Sequence, residues 1–65
     1  MANIADNIRK ARKKAGLSQD KLAREADVAY NTIVKIESGE NKNPTIETLR
    51  SIAMALKISV DQLIN

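Results

Sequence analysis

Residues 17–39, LSQDKLAREADVAYNTIVKIESG, contain two short apolar patterns at helical spacing, and a turn of only three or four residues separates the helices that they predict. Leu22, Ala23 and Ala26 form one face of the first pattern, and Ile33 and Ile36 form one face of the second. The small alanines allow the two helices to cross closely. The segment therefore predicts two helices joined by a tight turn at a steep angle, with one polar face of the second helix left uncovered.

Apolar spacing and end signals predict three further helices around this pair. The first begins near Ile4 and ends before Gly16, which readily adopts the left-handed conformation of a helix C-terminus. Gly39 closes the third helix in the same way, and Thr45 and Ser59 are suitable N-terminal caps for the fourth and fifth. The predicted helices span about residues 4–15, 19–26, 30–38, 46–56 and 60–64.

These helices predict an all-α fold, a compact five-helix bundle in which residues 1–65 form a single domain. The polar segment 40–44 ends in Pro and is expected to be the longest loop. The fourth helix is expected to direct five apolar residues inward, namely Ile46, Leu49, Ile52, Ala53 and Leu56. A domain of this size buries only about 60% of its unfolded surface, so a partner subunit would add stability.

The composition argues against several classes of function. The chain has no Cys and no His, so we expect no metal and no cofactor. No Asp or Glu pair lies in a motif with a nucleophile, a phosphate loop or metal-ligand spacing, so we expect no enzymatic activity. It has no signal-like apolar run and none of the ~20 residues that a membrane span needs, so a cytoplasmic location is expected. The net charge is +3, and residues 1–42 hold nine basic against six acidic residues. This balance is compatible with a nucleic-acid partner.

The third helix has an outward face with hydrogen-bonding side chains. At about 100° per residue, Asn31, Val34 and Lys35 lie opposite the core positions. Asn matches N6 and N7 of adenine, Lys donates to guanine, and Val contacts the methyl group of thymine. A solvated face with no partner is the alternative. The candidate base-reading residues are Tyr30, Asn31, Thr32, Val34 and Lys35.

A second set of polar residues flanks this face. Ser18 and Gln19 lie at the positive N-terminus of the second helix, where an anion is favoured. Contacts to phosphates fix register and carry no sequence information. Helix capping alone is the alternative for Ser18, and simple solvation is the alternative for Gln19. The candidate phosphate contacts are Ser18, Gln19, Ser38, Lys42 and Asn43.

Three segments, LSQDKLA, VAYNTIVKIESG and NPTIETLRSIAMAL, resemble the Cro/cI-type helix-turn-helix family, also called lambda-repressor-like or XRE domains. The likeness covers nearly the whole chain. It implies a lambda-repressor-like bundle in which Gln19 contacts a phosphate. It also implies that the base contacts come from the start of the third helix, through Tyr30, Asn31 and Lys35.

The resemblance further implies a structural salt bridge between Arg12 and Glu37, with a phosphate contact by Arg12 as the alternative. Two positions depart from the family pattern. Asp27 stands in the turn where Gly is usual, and Ala29 stands where a capping Ser or Thr is common. Both departures are expected to cost some stability, although Asp tolerates a left-handed conformation and a missing cap costs only about 0.5–2 kcal/mol.

The sequence thus predicts sequence-specific binding to double-stranded DNA by a prokaryotic or phage transcription regulator, with repression as the expected activity and the third helix in the major groove. One such helix makes few contacts, so we expect a homodimer on a palindromic operator with half-sites about 34 Å apart. An antitoxin or adaptor that uses the same fold to bind proteins is the alternative. Candidate dimer contacts are Met54, Val60, Gln62 and Ile64.

Overall fold

The computed structural model describes residues 3–65 and folds them into five α-helices without a strand. The helices are α1 (Ile4–Lys14), α2 (Gln19–Ala26), α3 (Tyr30–Ser38), α4 (Ile46–Leu56) and α5 (Val60–Ile64). The all-α, five-helix fold predicted from the sequence is confirmed. The end of the first helix is corrected by one residue, because Ala15 is the C-terminal cap and Gly16 has the left-handed φ of 75°.

Side-chain caps begin four of the five helices. The hydroxyl groups of Ser18, Thr45 and Ser59 accept hydrogen bonds from backbone N–H groups three residues ahead, as the sequence predicted. Asn3 does the same for α1. At the start of α3, Ala29 has the extended backbone of a cap but no side chain that can accept a hydrogen bond. The first turn of α3 is therefore the one that lacks this stabilisation.

Left-handed residues end three helices. Gly39 closes α3 with a φ of 85°, Asp27 closes α2 with a φ of 56°, and Lys57 closes α4 with a φ of 59°. The predicted tolerance of Asp27 for this conformation is confirmed. Lys57 was not singled out by the sequence, and a Lys in this region of backbone space carries a cost that Gly does not.

Every helix contributes buried residues to the hydrophobic core. α2 packs against α3 and α4, α1 packs against α3 and α5, and α5 packs against α4. The largest fully buried side chains are Ile8, Leu22, Ile33, Ile36, Ile52 and Leu63. None of the helices in residues 3–65 is both long enough and apolar enough to cross a membrane.

One predicted core residue is wrong. Ile46 is 55% exposed, whereas the other four apolar residues of its helical stripe, from Leu49 to Leu56, are buried. Ile46 lies in the first turn of α4 and at the edge of the stripe, about 60° from Leu49. Helical periodicity gives the direction of a side chain, but it does not say whether a neighbouring helix reaches far enough to cover it.

Candidate nucleic-acid interface

Three buried side chains fix the inner face of α3. Ile33 and Ile36 are 0% and 1% exposed, and they lie in the core where α3 packs against α1 and α2. Glu37 is 4% exposed and is the only charged residue among those buried in residues 3–65. A buried carboxylate is stable only if it is paired and hydrogen-bonded. Its partners therefore decide how firmly α3 is held.

The carboxylate of Glu37 joins three helices. Arg12 of α1 donates from Nε to Glu37 Oε2 at 2.7 Å and from Nη2 to Oε1 at 3.0 Å. Gln19 of α2 donates from Nε2 to Oε1 at 3.1 Å. Arg12 also donates from Nη1 to the carbonyl oxygen of Leu17 at 2.8 Å, which ties in the connection between α1 and α2. We call Arg12, Gln19 and Glu37 the Glu37 junction.

The Arg12–Glu37 pair has the bidentate geometry that gives strong charge-assisted hydrogen bonds. The Arg12 side chain is 12% exposed, so this ion pair lies largely out of water. Within residues 3–65, no buried side-chain nitrogen or oxygen lacks a hydrogen-bond partner. This geometry favours the architectural role of Arg12 over a phosphate contact, because its guanidinium group is already engaged on several sides.

Arg9 and Asn7 add contacts that the sequence analysis missed. Arg9 donates from Nη2 to the carbonyl oxygen of Glu37 at 2.8 Å and from Nη1 to Asp6 at 2.7 Å. Asn7 donates to the carbonyl oxygen of Leu63 in α5 at 2.8 Å. The sequence could have predicted the contact of Arg9, because Arg9 precedes Arg12 by three residues and therefore lies on the same face of α1. No spacing in the sequence predicts the contact of Asn7 with α5.

The outer face of α3 carries the candidate base-reading residues. Tyr30 is 52% exposed, and Asn31 and Lys35 are also exposed, so their polar groups are accessible. Lys35 Nζ lies 3.9 Å from Glu40 Oε2, a loose and exposed ion pair. Thr32 and Val34 are only half-exposed. Val34 is not among the partly buried apolar residues that pack against the core, so its outward placement stays a prediction, although part of its surface is covered.

Four of the five candidate phosphate contacts lie before or after α3 in sequence, and the fifth, Ser38, is its last residue. Ser18 is exposed at the start of α2, where its Oγ accepts from the N–H of Lys21 at 3.0 Å. Lys42 and Asn43 are exposed in the loop after α3. The hydroxyl of Ser38 donates to the carbonyl oxygen of Lys35 at 3.1 Å, so its hydrogen is already used inside the helix. Its Oγ also accepts from the N–H of Glu40 at 3.3 Å. Because a phosphate only accepts hydrogen bonds, a contact from Ser38 would have to replace its bond to Lys35.

The candidate dimer contacts differ in exposure. Met54 is 74% exposed and Ile64 is 37% exposed, whereas Val60 is half-buried against the core. Gln62 is exposed, but its Oε1 accepts from the backbone N–H of Ser59 at 2.9 Å as part of a capping box. Met54 therefore has the largest free apolar surface of the four.

Comparisons of sequence place the chain among known regulators. The helix-turn-helix family HTH_3 matches residues 8–63. The transcriptional regulator SinR of Bacillus licheniformis is 36% identical over 62 residues, which cover 95% of this chain and 56% of SinR. The transcriptional repressor RstR of the cryptic phage CTXphi in Vibrio cholerae is 38% identical over 60 residues, which cover 92% of this chain and 53% of RstR. The chain thus spans little more than half the length of either relative.

Solved structures agree with this assignment. SinR, the master regulator for biofilm formation, in complex with DNA has a TM-score of 0.90 at 35% identity, covering 92% of this chain and 95% of that one. The P22 c2 repressor in complex with a synthetic operator has a TM-score of 0.88 at 29% identity, covering 100% of this chain and 97% of that one. The predicted resemblance to Cro/cI-type regulators is confirmed, and the chain belongs to the HTH_3 family of helix-turn-helix proteins.

Proposed function

We propose that this protein is a transcription regulator that binds double-stranded DNA in a sequence-specific manner and represses the promoters it occupies. The observation that carries this proposal is the division of α3 into two faces. The inner face is immobilised by Ile33, Ile36 and the Glu37 junction, while Tyr30, Asn31 and Lys35 remain exposed on the outer face. A rigid helix with free hydrogen-bonding side chains suits the major groove of B-DNA.

The exposed side chains of α3 have the chemistry to distinguish bases. Asn31 offers the donor and acceptor that match N7 and N6 of adenine. Lys35 can exchange its loose ion pair with Glu40 for O6 or N7 of guanine. Tyr30 and Thr32 flank these two, and the uncovered part of Val34 suits a thymine methyl group. We assign base reading to these five residues, with Asn31 and Lys35 as the main determinants.

The flanking residues would hold the phosphates on either side of the groove. Ser18 and Gln19 lie at the N-terminus of α2, where the first backbone N–H groups of a helix lack intrahelical acceptors and favour an anion. Lys42 and Asn43 lie in the loop that follows α3. Ser38 contributes least, because its hydroxyl hydrogen is already donated to Lys35. Such contacts would orient the protein on the duplex.

A homodimer would place two copies of α3 in successive major grooves about 34 Å apart. Met54 and Ile64 support this proposal through their exposed apolar surface, and Val60 and Gln62 would border it. A palindromic operator follows from such two-fold symmetry. The proposed site of action is the cytoplasm, where a prokaryotic regulator meets its DNA.

The decisive experiment selects duplexes from a random pool at two salt concentrations and compares wild type with variants of the interface. Asn31→Ala should cost about 1–3 kcal/mol of binding free energy and relax preference at one base pair of each half-site. Lys42→Ala should weaken binding to all sequences alike and reduce the salt slope by about one unit.

Lys10→Ala is the matched control for Lys42→Ala, because it removes the same charge from an exposed position on α1 outside the proposed interface. It should leave the salt slope nearly unchanged. Failure of wild type to enrich any duplex would contradict the proposed function and favour the alternative of a protein-binding antitoxin or adaptor. Equal effects of Lys10→Ala and Lys42→Ala would contradict the placement of the phosphate contacts.

A further inference from the structure

The carboxylate of Glu37 contacts a residue of the proposed DNA interface as well as its ion-pair partner. Gln19 Nε2 donates to Glu37 Oε1 at 3.1 Å, alongside the two hydrogen bonds from Arg12. We propose that Glu37 is a positioning residue for phosphate binding, which orients the amide of Gln19 so that a second N–H of Nε2 faces a DNA phosphate. This inference rests on the proposed function, since it concerns the same interface.

The chemistry of the two groups decides which way the amide of Gln19 points. An ionised carboxylate accepts hydrogen bonds and donates none, so only the Nε2 end of the amide can face Glu37. Nε2 carries two hydrogens, and Glu37 uses one of them. The second stays available. Without Glu37, an amide free to turn over could present Oε1 to the phosphate, and two acceptors would then face each other.

The position of Glu37 is itself fixed. Its side chain is 4% exposed, and both of its oxygens receive donors from Arg12. The same bidentate pairing offsets the negative charge of Glu37, which would otherwise repel a phosphate at the start of α2. Gln19 is half-exposed, so its amide reaches both the buried carboxylate and the surface. Binding then requires less ordering of this side chain than a freely rotating Gln would need.

This arrangement also connects the two kinds of DNA contact. Glu37 belongs to α3, which carries the base-reading residues, whereas Gln19 opens α2. A single carboxylate therefore sets the place of the phosphate donor relative to the reading helix. Gln19 accordingly acts through direct contact with the phosphate, and Glu37 acts through Gln19.

The test uses a duplex enriched from the random pool, with each backbone phosphate replaced in turn by a neutral methylphosphonate. Wild type should lose about tenfold in affinity at the phosphate held by Gln19, the size expected for one charge-assisted hydrogen bond. Gln19→Met has a similar shape but no donor, so it should lose about tenfold on the unmodified duplex. It should also become insensitive to replacement of that phosphate.

Glu37→Gln is the variant that separates positioning from packing. It should reduce the sensitivity to that one phosphate about threefold and leave the phosphate contacted by Lys42 as sensitive as in wild type. Glu25→Gln is the matched control, because it makes the same change at an exposed carboxylate of α2 that has no place in the Glu37 junction or in the proposed interface. This control variant should lose as much affinity as wild type when each phosphate is replaced. Full sensitivity to the Gln19 phosphate in folded Glu37→Gln would overturn the proposal.

A measurement on wild type decides the matter even if Glu37→Gln fails to fold. In the ¹⁵N-labelled full chain, the two side-chain amide hydrogens of Gln19 should be distinct, with one slowed in exchange by its bond to Glu37. On addition of the duplex, the second hydrogen should shift while the first keeps its protection. Loss of that protection in the complex would show that DNA pulls Gln19 away from Glu37, and the proposal would be wrong. If wild type enriches no duplex at all, the proposed function fails instead.

Discussion

α3 and α4 lie in the same small bundle, yet they are held by different kinds of contact. α4 has 11 residues and buries Leu49, Ile52, Ala53 and Leu56 without any charged side chain. α3 has nine residues and buries two isoleucines together with Glu37, which receives donors from α1 and α2. Burial of apolar surface is non-directional, whereas hydrogen bonds require a defined geometry. The helix that carries the proposed reading face is thus the one whose orientation is set by directional contacts.

The ends of the two helices differ in a complementary way. α3 begins at Ala29 without a side-chain cap and ends at Gly39, which adopts a positive φ without strain. α4 begins with a Thr45 cap and ends at Lys57, which holds a positive φ at some cost. Each helix therefore has one well-stabilised end and one poorly stabilised end, at opposite termini.

The largest effect is expected from Ile52→Ala in the apolar contact of α4. Ile52 is 0% exposed, and its truncation should lower the free energy of unfolding by about 4 kcal/mol through lost burial and an unfilled cavity. Urea denaturation followed by circular dichroism measures this loss. Met54→Ala on the exposed side of α4 should change it by less than ~0.5 kcal/mol. Similar losses from both variants would mean that α4 is not held by its apolar face.

The next effect concerns the ionic contact of α3. Arg12→Ala should cost about 3 kcal/mol in unfolding free energy, because it leaves the carboxylate of Glu37 buried without its cation. The exposed pair Arg24–Asp20 provides the control, and Arg24→Ala should cost about 0.3 kcal/mol. A fall in DNA affinity with no fall in stability would instead identify Arg12 as a phosphate contact.

These contacts show which features of the fold can be predicted from the sequence. Helix boundaries were predictable because their signals are local, as at the Ser18 cap and at Gly39. The exposure of Ile46 was not, because it depends on how far neighbouring elements extend. The hydrogen bonds of Gln19 and Asn7 also escaped prediction, since each joins residues from different helices whose separation is set only by the packed core.

The candidate interface follows the same rule. The exposed positions of Tyr30, Asn31 and Lys35 agree with a helical projection, which needs only the spacing along one helix. The partial burial of Val34 depends on surrounding structure, and the engaged hydroxyl of Ser38 depends on the side-chain conformation at the helix end. The roles of these residues in DNA binding stay predictions until variants are measured.

A smaller and opposite effect is expected from capping α3. Ala29 already has the extended backbone of a cap, so Ala29→Ser needs no rearrangement and should stabilise the protein by about 1 kcal/mol. For a domain of this size, the midpoint of thermal unfolding should rise by about 4–8 °C. An unchanged or lower midpoint would show that the start of α3 is constrained by something other than its missing cap.

The smallest effect is expected at the other poorly stabilised end, in α4. Lys57→Gly removes the cost of a left-handed Lys, about 1–2 kcal/mol, but it also increases the freedom of the unfolded chain. The net gain should be about 0.5 kcal/mol, measured by urea denaturation. Lys57→Ala keeps the side-chain constraint without the charge, and it should give no gain. If both variants increased the free energy of unfolding, the increase would come from removing the charge of Lys57 and not from its backbone conformation.

Tyr30 gives the protein a built-in optical reporter. It is the only aromatic residue in the sequence, and it lies exposed at the first position of α3. All near-ultraviolet emission of the chain therefore originates at the end of the helix proposed to enter the groove. Stacking or contact with a base would quench that emission, while events elsewhere in the aliphatic core would contribute no signal of their own. Occupancy of the proposed interface can accordingly be followed by intrinsic fluorescence, without an attached dye.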